Sequence, residues 1–392
     1  MKFREKHRTC NGSRCGLIQC WMGRNLALPP TRLPAGGARI VLNPQQLGFR
    51  KRCELGQLAL RWLCRVAPCW LLAVGCWLFC LLLILSTSFS LSAQTNDQRT
   101  LVLVIGAAGE PEYGEQFSAW AELWKQAAAK GGLQTIVVGE GKDDPARDSA
   151  RLLGVLTNEL VKPAGEWWLV FIGHGTFDGR TAKFNLRGPD ISAEDLATVL
   201  KPGKRPLAVI DCSSASGPFI NALSAPGRVI VTATRSGNEV NATRFGSYFA
   251  KAIADPAADL DKDSQTSLLE AFLFASRQTA QFYQEAGRLA TEHALLDDNG
   301  DGLGTPADWF RGVRAVKTAA NGKSVDGVRA NQLHLVRSDS EKKLSAAARA
   351  RRDELEKQLS DLRARKDNLE ENEYYREAER ILLEIAKLYQ AP

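Results

Sequence analysis

Cysteine is nearly absent from the part of this chain that can fold. Nine cysteines occur in 392 residues, but eight lie between Cys10 and Cys80, and only Cys212 lies beyond. The body after residue 93 therefore contains no internal disulfide, and its single thiol is free to react. Metal binding near the N-terminus is not expected either, because Cys10, Cys15 and Cys20 do not match a compact zinc spacing. A dinucleotide fingerprint is missing: Gly106-Ala-Ala-Gly109 follows an apolar run, but Gly-x-Gly-x-x-Gly does not occur there. Gly-x-Ser-x-Gly does not occur around Cys212, which argues against a serine hydrolase. No organic cofactor is expected.

A basic stripe is missing as well. The net charge is +7, yet residues 1–93 hold 13 Lys/Arg against 2 Asp/Glu, leaving 38 against 42 for the rest. Nucleic-acid binding has no support in that distribution. The basic excess belongs to the flank of an uncharged stretch, residues 66–96, which is strongly apolar from Trp70 to Leu85. Arg61 and Arg65 precede it, and the small residues Ser86 to Ala93 follow. Two readings stay open: a secretory signal over 66–93, or a membrane anchor over 66–86, long enough to span a bilayer. Both predict an exported body, periplasmic or extracellular, either free or anchored with its main domain outside the cytoplasm. Residues 1–65 show no periodicity and are expected to be disordered.

From residue 98 the pattern changes. Apolar runs at Thr100–Gly106, Gln134–Gly139, Trp167–Ile172, Pro206–Asp211 and Arg228–Ala233 read as buried strands. Helices are predicted between them at Gln116–Lys130, Asp144–Val161, Ala193–Leu200, Gly217–Leu223 and Arg244–Ile253. Alternating apolar strands and helices predict an α/β domain over 98–336, with a mainly parallel sheet covered on both faces. Asn331–Val336 reads as an added edge strand. From Ser340 the chain turns charged and helical, and its Leu and Ile spacing predicts a helical hairpin or coiled coil over 340–390, a surface for self-association.

Two of the predicted strands end in chemistry. Trp167–Ile172 runs into Gly173-His174-Gly175, and Pro206–Asp211 runs into Cys212 and then Ser213-Ser-Ala-Ser-Gly217. Sites in such sheets lie beyond the carboxyl ends of the strands, so adjacent strands would bring His174 and Cys212 together. A lone cysteine with a separated histidine is the pattern of a thiol nucleophile and its base. The helix predicted after Cys212 would turn backbone N–H groups toward the thiol and favour thiolate. Gly175 would leave its N–H open to an oxyanion.

On these residues the chain resembles the legumain family of cysteine peptidases, in the caspase-like clan. The resemblance covers about residues 100–320 and includes Gly106–Gln116 as the loop after the first strand. It implies a caspase-like three-layer sandwich followed here by the helical appendage. It also implies a peptide or protein substrate and hydrolysis through an acyl-thioenzyme, with Cys212 as nucleophile and His174 as general acid and base. The N–H groups of Gly175 and Cys212 would form the oxyanion hole. Glu112 stands where the family carries a histidine-orienting asparagine, and Gly114 where it carries a substrate-selecting arginine. Thr234, Arg235 and Ser236 fall where a specificity pocket would be lined. A non-catalytic peptidase-like scaffold is the competing reading.

Two acidic loops carry calcium-type spacing. Asp259, Asp261, Asp263, Ser267 and Glu270 occupy positions 1, 3, 5, 9 and 12 of a twelve-residue loop, the EF-hand arrangement, with Ser264 at the usual glycine position. Asp297, Asn299, Asp301 and Asp308 repeat the pattern, with Gly302 in the glycine position. Their starts are 38 residues apart, close to the spacing of a paired EF-hand, and a helix is expected over Trp309–Thr318.

Overall fold

The computed structural model describes residues 98–141, 144–317 and 324–390. The cysteine-rich N-terminus and the apolar run 66–86, with its signal or anchor readings, lie outside the described residues. Among the described residues no helix is long and apolar enough to cross a membrane.

Chain order begins with β1 (Thr100–Ile105), α1 (Pro111–Gly131), β2 (Gln134–Val138), α2 (Asp148–Leu160) and β3 (Trp167–Ile172). A small hairpin sheet follows: β4 (Gly175–Phe177), β5 (Ala182–Phe184) and β6 (Ile191–Ser192). Then come α3 (Ala193–Leu200), β7 (Leu207–Asp211), α4 (Gly217–Leu223), β8 (Arg228–Thr232), α5 (Phe245–Ala252) and α6 (Leu268–Glu285). The short strands β9 (Leu295–Asp297), β10 (Thr305–Pro306), β11 (Phe310–Arg311) and β12 (Arg314–Ala315) precede α7 (Val328–Gln332), α8 (Asp339–Lys343), α9 (Ala346–Ala364) and α10 (Glu371–Gln390).

The main sheet has the order β10-β9-β8-β7-β3-β1-β2. Strands β2, β1, β3, β7 and β8 are parallel, and β9 and β10 add an antiparallel edge. Successive side chains in a strand point to opposite faces, and the core divides accordingly. Leu101, Leu103, Trp168, Val170, Ile172, Ala208, Ile210 and Cys212 pack with α1, α5 and α6. Val102, Val104, Trp167, Leu169, Phe171, Leu207 and Val209 pack with α2, α3 and α4. The result is helix layer, sheet, helix layer, as the alternating pattern predicts. Each fully buried Leu, Val, Ile or Phe side chain contributes about 1.5–3 kcal/mol.

Three expectations about elements change. Helix α1 begins at Pro111, not Gln116, because proline suits the first helical turn, where its missing N–H goes unused. Residues 331–336 form no strand. Helix α7 ends at Gln332, and only an isolated bridge, His334 to Ser267, remains. The described part of the helix expected over 309–318 is not α-helical; a 3₁₀ turn at Ala307–Trp309 leads into the β11–β12 ribbon. The C-terminal hairpin is present: Leu355, Leu359 and Leu362 of α9 meet Ile381 of α10 in a separate small core.

Candidate active site

Strands β3 and β7 are neighbours, with Phe171 opposite Asp211, so His174 and Cys212 leave the same edge of the sheet. The Cys212 N–H also donates to the Phe171 carbonyl at 3.0 Å. Both side chains turn to the α1 face. The His174 ring meets Tyr113 edge-on at 4.6 Å and Phe117 at 5.1 Å between centroids. Cys212 belongs to the core cluster that contains Phe117 and Trp120. Behind the thiol stands α5. A Cβ built on Gly246 would lie 2.7 Å from the Cys212 Cβ and 2.9 Å from the Trp120 ring, so only glycine allows this approach.

The electrostatics do not favour thiolate. Cys212 is fully buried, and burial pushes its thiol well above the ordinary range; the nearby carboxylates of Asp211 and Glu292 push the same way. Burial also lowers the His174 imidazole, against a hydrogen bond from its ring to the Ala108 carbonyl. The pair is neutral in this arrangement. Asp211 is held at about 6 by burial, partly offset by the Ser213 hydroxyl and N–H, which both donate to its Oδ1 at 2.6 and 2.9 Å. Its other oxygen has no partner.

The residues around the pair differ from expectation. The His174 ring is held by Ala108, whereas exposed Glu112 sits in the first turn of α1 and accepts a 3.4 Å hydrogen bond from Gln116. The N–H of Gly175 is not open: it donates to the Ser214 hydroxyl at 3.1 Å. The N-terminus of α4 does not face the thiol, since the Gly217 N–H donates to Thr234 Oγ1 at 3.0 Å. Thr234 is buried and spent on that contact and on the Ser216 hydroxyl. Arg235 is exposed and pairs with Glu239 at 3.3 Å, and the Ser236 carbonyl accepts from the Thr234 hydroxyl at 3.3 Å.

The space beside the pair is elsewhere. A cavity of about 590 Å³ opens between the start of α1, residues 241–251 and the end of α6. It reaches the pair through Tyr113, which meets the His174 ring, and Thr243, whose hydroxyl donates to the Cys212 carbonyl. Arg244, Lys251 and Arg288 line it against one carboxylate, Glu112. Sequence reasoning missed these three cations because they lie on separate elements with no shared spacing. It also missed Glu292, whose buried carboxylate accepts from the N–H groups of Arg244 and Phe245 and sets the start of α5.

At the first acidic loop, carboxylate oxygens of Asp259, Asp261 and Asp263 lie within 4.8 Å of one another. Asp259 accepts from the N–H groups of Lys262 and Ser264, and both residues take positive φ (65° and 72°). The second loop repeats that geometry: Asp297 accepts from Gly300 and Gly302, with φ of 76° and 75°. Three converging aspartates fit a hard cation. Glu270 is committed to backbone: its oxygens accept from the N–H groups of Leu260, Asp261 and Ser267 and close a capping box on α6. The paired EF-hand expectation fails in its second half. That loop is entered from strand β9 and left through a 3₁₀ turn carrying Asp308, because its flanks are recruited to the sheet edge.

No family model matches the chain, and no curated protein is similar to it in sequence. Similar solved structures include protein GSU0716 from Geobacter sulfurreducens, at 12% identity and TM-score 0.34, covering 46% of this chain and 89% of that one. The Drosophila initiator caspase Dronc is similar at 15% identity and TM-score 0.35, covering 51% and 79%. Caspase-1 from Spodoptera frugiperda is similar at 9% identity and TM-score 0.34, covering 51% and 86%. Scores of this size do not assign an activity.

Proposed function

We propose that this chain is a cysteine endopeptidase of the legumain-like, caspase-like kind, described here in a latent arrangement. The observation that carries the reading is the placement of His174 and Cys212 just beyond the carboxyl ends of adjacent parallel strands, with Phe117 packed against the His174 ring and in the same core cluster as Cys212. In the reaction the Cys212 thiol gives its proton to His174 and attacks the peptide carbonyl. The C–N bond breaks, the leaving amine takes that proton from His174, and water then cleaves the thioester. Reaching this state requires the thiol to be uncovered on its α5 side. The cavity supports an acidic peptide segment as substrate, because three cations face it against one carboxylate. Export of the body, peptide or protein partners and calcium at Asp259, Asp261 and Asp263 belong to the same proposal.

A second reading has its own observation. The buried, protonated thiol suits a non-catalytic scaffold that binds peptide without cleaving it. Cleavage of an acidic-residue peptide library, lost in both Cys212→Ala and His174→Ala, supports the enzyme. Binding of the same peptides with no cleavage under any condition supports the scaffold.

A further inference from the structure

We propose that Ser214 is a built-in stopper of the oxyanion donor, holding the site latent by occupying the Gly175 amide. This rests on the peptidase reading of His174 and Cys212. The Ser214 hydroxyl sits between the two polar backbone groups of Gly175: it accepts from the N–H at 3.1 Å and donates to the C=O at 3.0 Å. Ser214 is 2% exposed, so no water competes for those bonds. The approach is close in the backbone as well. A Cβ at Gly175 would lie 2.2 Å from the Ser214 carbonyl oxygen, so glycine is required for this seat as much as for an open amide.

The neighbouring chain holds the stopper in place. Ala215 takes φ of 55°, an uncommon conformation for a residue with a Cβ. Its N–H donates to the Glu239 carbonyl at 2.8 Å. The Glu239 carboxylate in turn binds His293 Nδ1 at 2.5 Å and the Arg235 N–H at 2.9 Å. Strained backbone at a catalytic edge, fixed by contacts from a second loop, marks a segment with a specific task. A substrate carbonyl must displace the Ser214 hydroxyl before it can use the Gly175 N–H. Ser214 acts through Gly175 and is a positioning residue.

The test compares the full chain with Ser214→Ala and Ser214→Thr, each checked by circular dichroism. Two probes are used on Cys212. A peptide aldehyde forms a hemithioacetal and needs the oxyanion donor; iodoacetamide alkylates the thiol without it. Ser214→Ala should bind the aldehyde about five- to tenfold more tightly, the size of one neutral hydrogen bond no longer displaced. Its iodoacetamide rate should stay within about twofold of the parent, since accessibility is unaltered. Ser214→Thr keeps the hydroxyl and should behave as the parent. In glycine-selective ¹⁵N spectra the Gly175 amide should shift and lose exchange protection in Ser214→Ala only. Unchanged aldehyde affinity beside normal iodoacetamide labelling, or an unmoved Gly175 amide, overturns the stopper while sparing the peptidase reading. No labelling of Cys212 by either reagent in any variant overturns the peptidase reading, and the stopper with it.

Discussion

Replacing Asp211 with asparagine tests whether the carboxyl end of β7 is as dry as the structure makes it. Asp211 is fully buried, one of its oxygens has no partner, and burial moves its carboxyl from 3.8 to about 6. A group whose folded pKa is raised contributes its full stability below the unfolded value and loses it as pH rises through the folded one. The contribution of Asp211 to the parent's stability should therefore be full below about pH 4 and be lost as pH rises through about 6. A shift of about two units corresponds to roughly 3 kcal/mol across that window. Asparagine removes the titration. Its oxygen can keep the Ser213 contacts, while its NH₂ replaces the unpartnered oxygen and costs about 1–3 kcal/mol as an unpaired buried donor. The absolute gain at pH 8 is thus small, and the decisive quantity is the slope. Urea unfolding from pH 4 to pH 8 should show Asp211→Asn gaining on the parent by about 3 kcal/mol. Removing the negative charge should also speed Cys212 alkylation at pH 8, because Asp211 holds the thiol up. A stability difference that is flat with pH would refute the buried-carboxylate reasoning.

Other consequences can be measured separately. Gly246→Ala should destabilise by about 1–3 kcal/mol through overpacking against Cys212 and Trp120, partly offset by about 1 kcal/mol of helix propensity; a neutral or raised melting temperature would show slack behind the thiol. Calcium at about a hundred times its dissociation constant should stabilise by about 2.7 kcal/mol and raise the melting temperature by a few degrees. Asp261→Asn should abolish that response, and a chelator without effect on the parent would remove calcium from the account. Ile381→Ala should cost the α9–α10 hairpin about 2–5 kcal/mol. Hydrogen exchange should then rise there and stay unchanged in β3 and β7, since the hairpin has its own core.

The sheet was legible because its strands are continuous apolar runs with helices between them. Trp167–Ile172, Ala193–Leu200 and Gly217–Leu223 form elements with the boundaries their sequences predict. The hairpin β4–β5–β6 was not, since its strands of two or three residues, such as Gly175–Phe177, are too short to show a period. Asn331–Val336 misled because an alternating apolar pattern also fits a helix end tucked against α6, with Leu333 accepting from the Leu268 N–H. At the candidate site, the strand ends put His174 and Cys212 at one edge of the sheet, but the partners of each group were hidden. In each case one partner is a backbone group: the Ala108 carbonyl faces the ring, and the Ser214 hydroxyl sits on the Gly175 amide. Backbone contacts leave no residue-type signal. Thr234 reads as a pocket residue from its place after β8, yet tertiary packing commits it to Ser216 and Gly217.

The central claim is that Cys212 and His174 form one chemical unit. The most direct measurement is active-site labelling of Cys212 by an acyloxymethylketone peptide across pH, in the parent and in His174→Ala. The account predicts labelling in the parent that falls at least tenfold in His174→Ala, with the circular dichroism spectrum unchanged. Labelling of equal rate in both proteins would contradict it, and so would a Cys212 that stays unreactive under every condition.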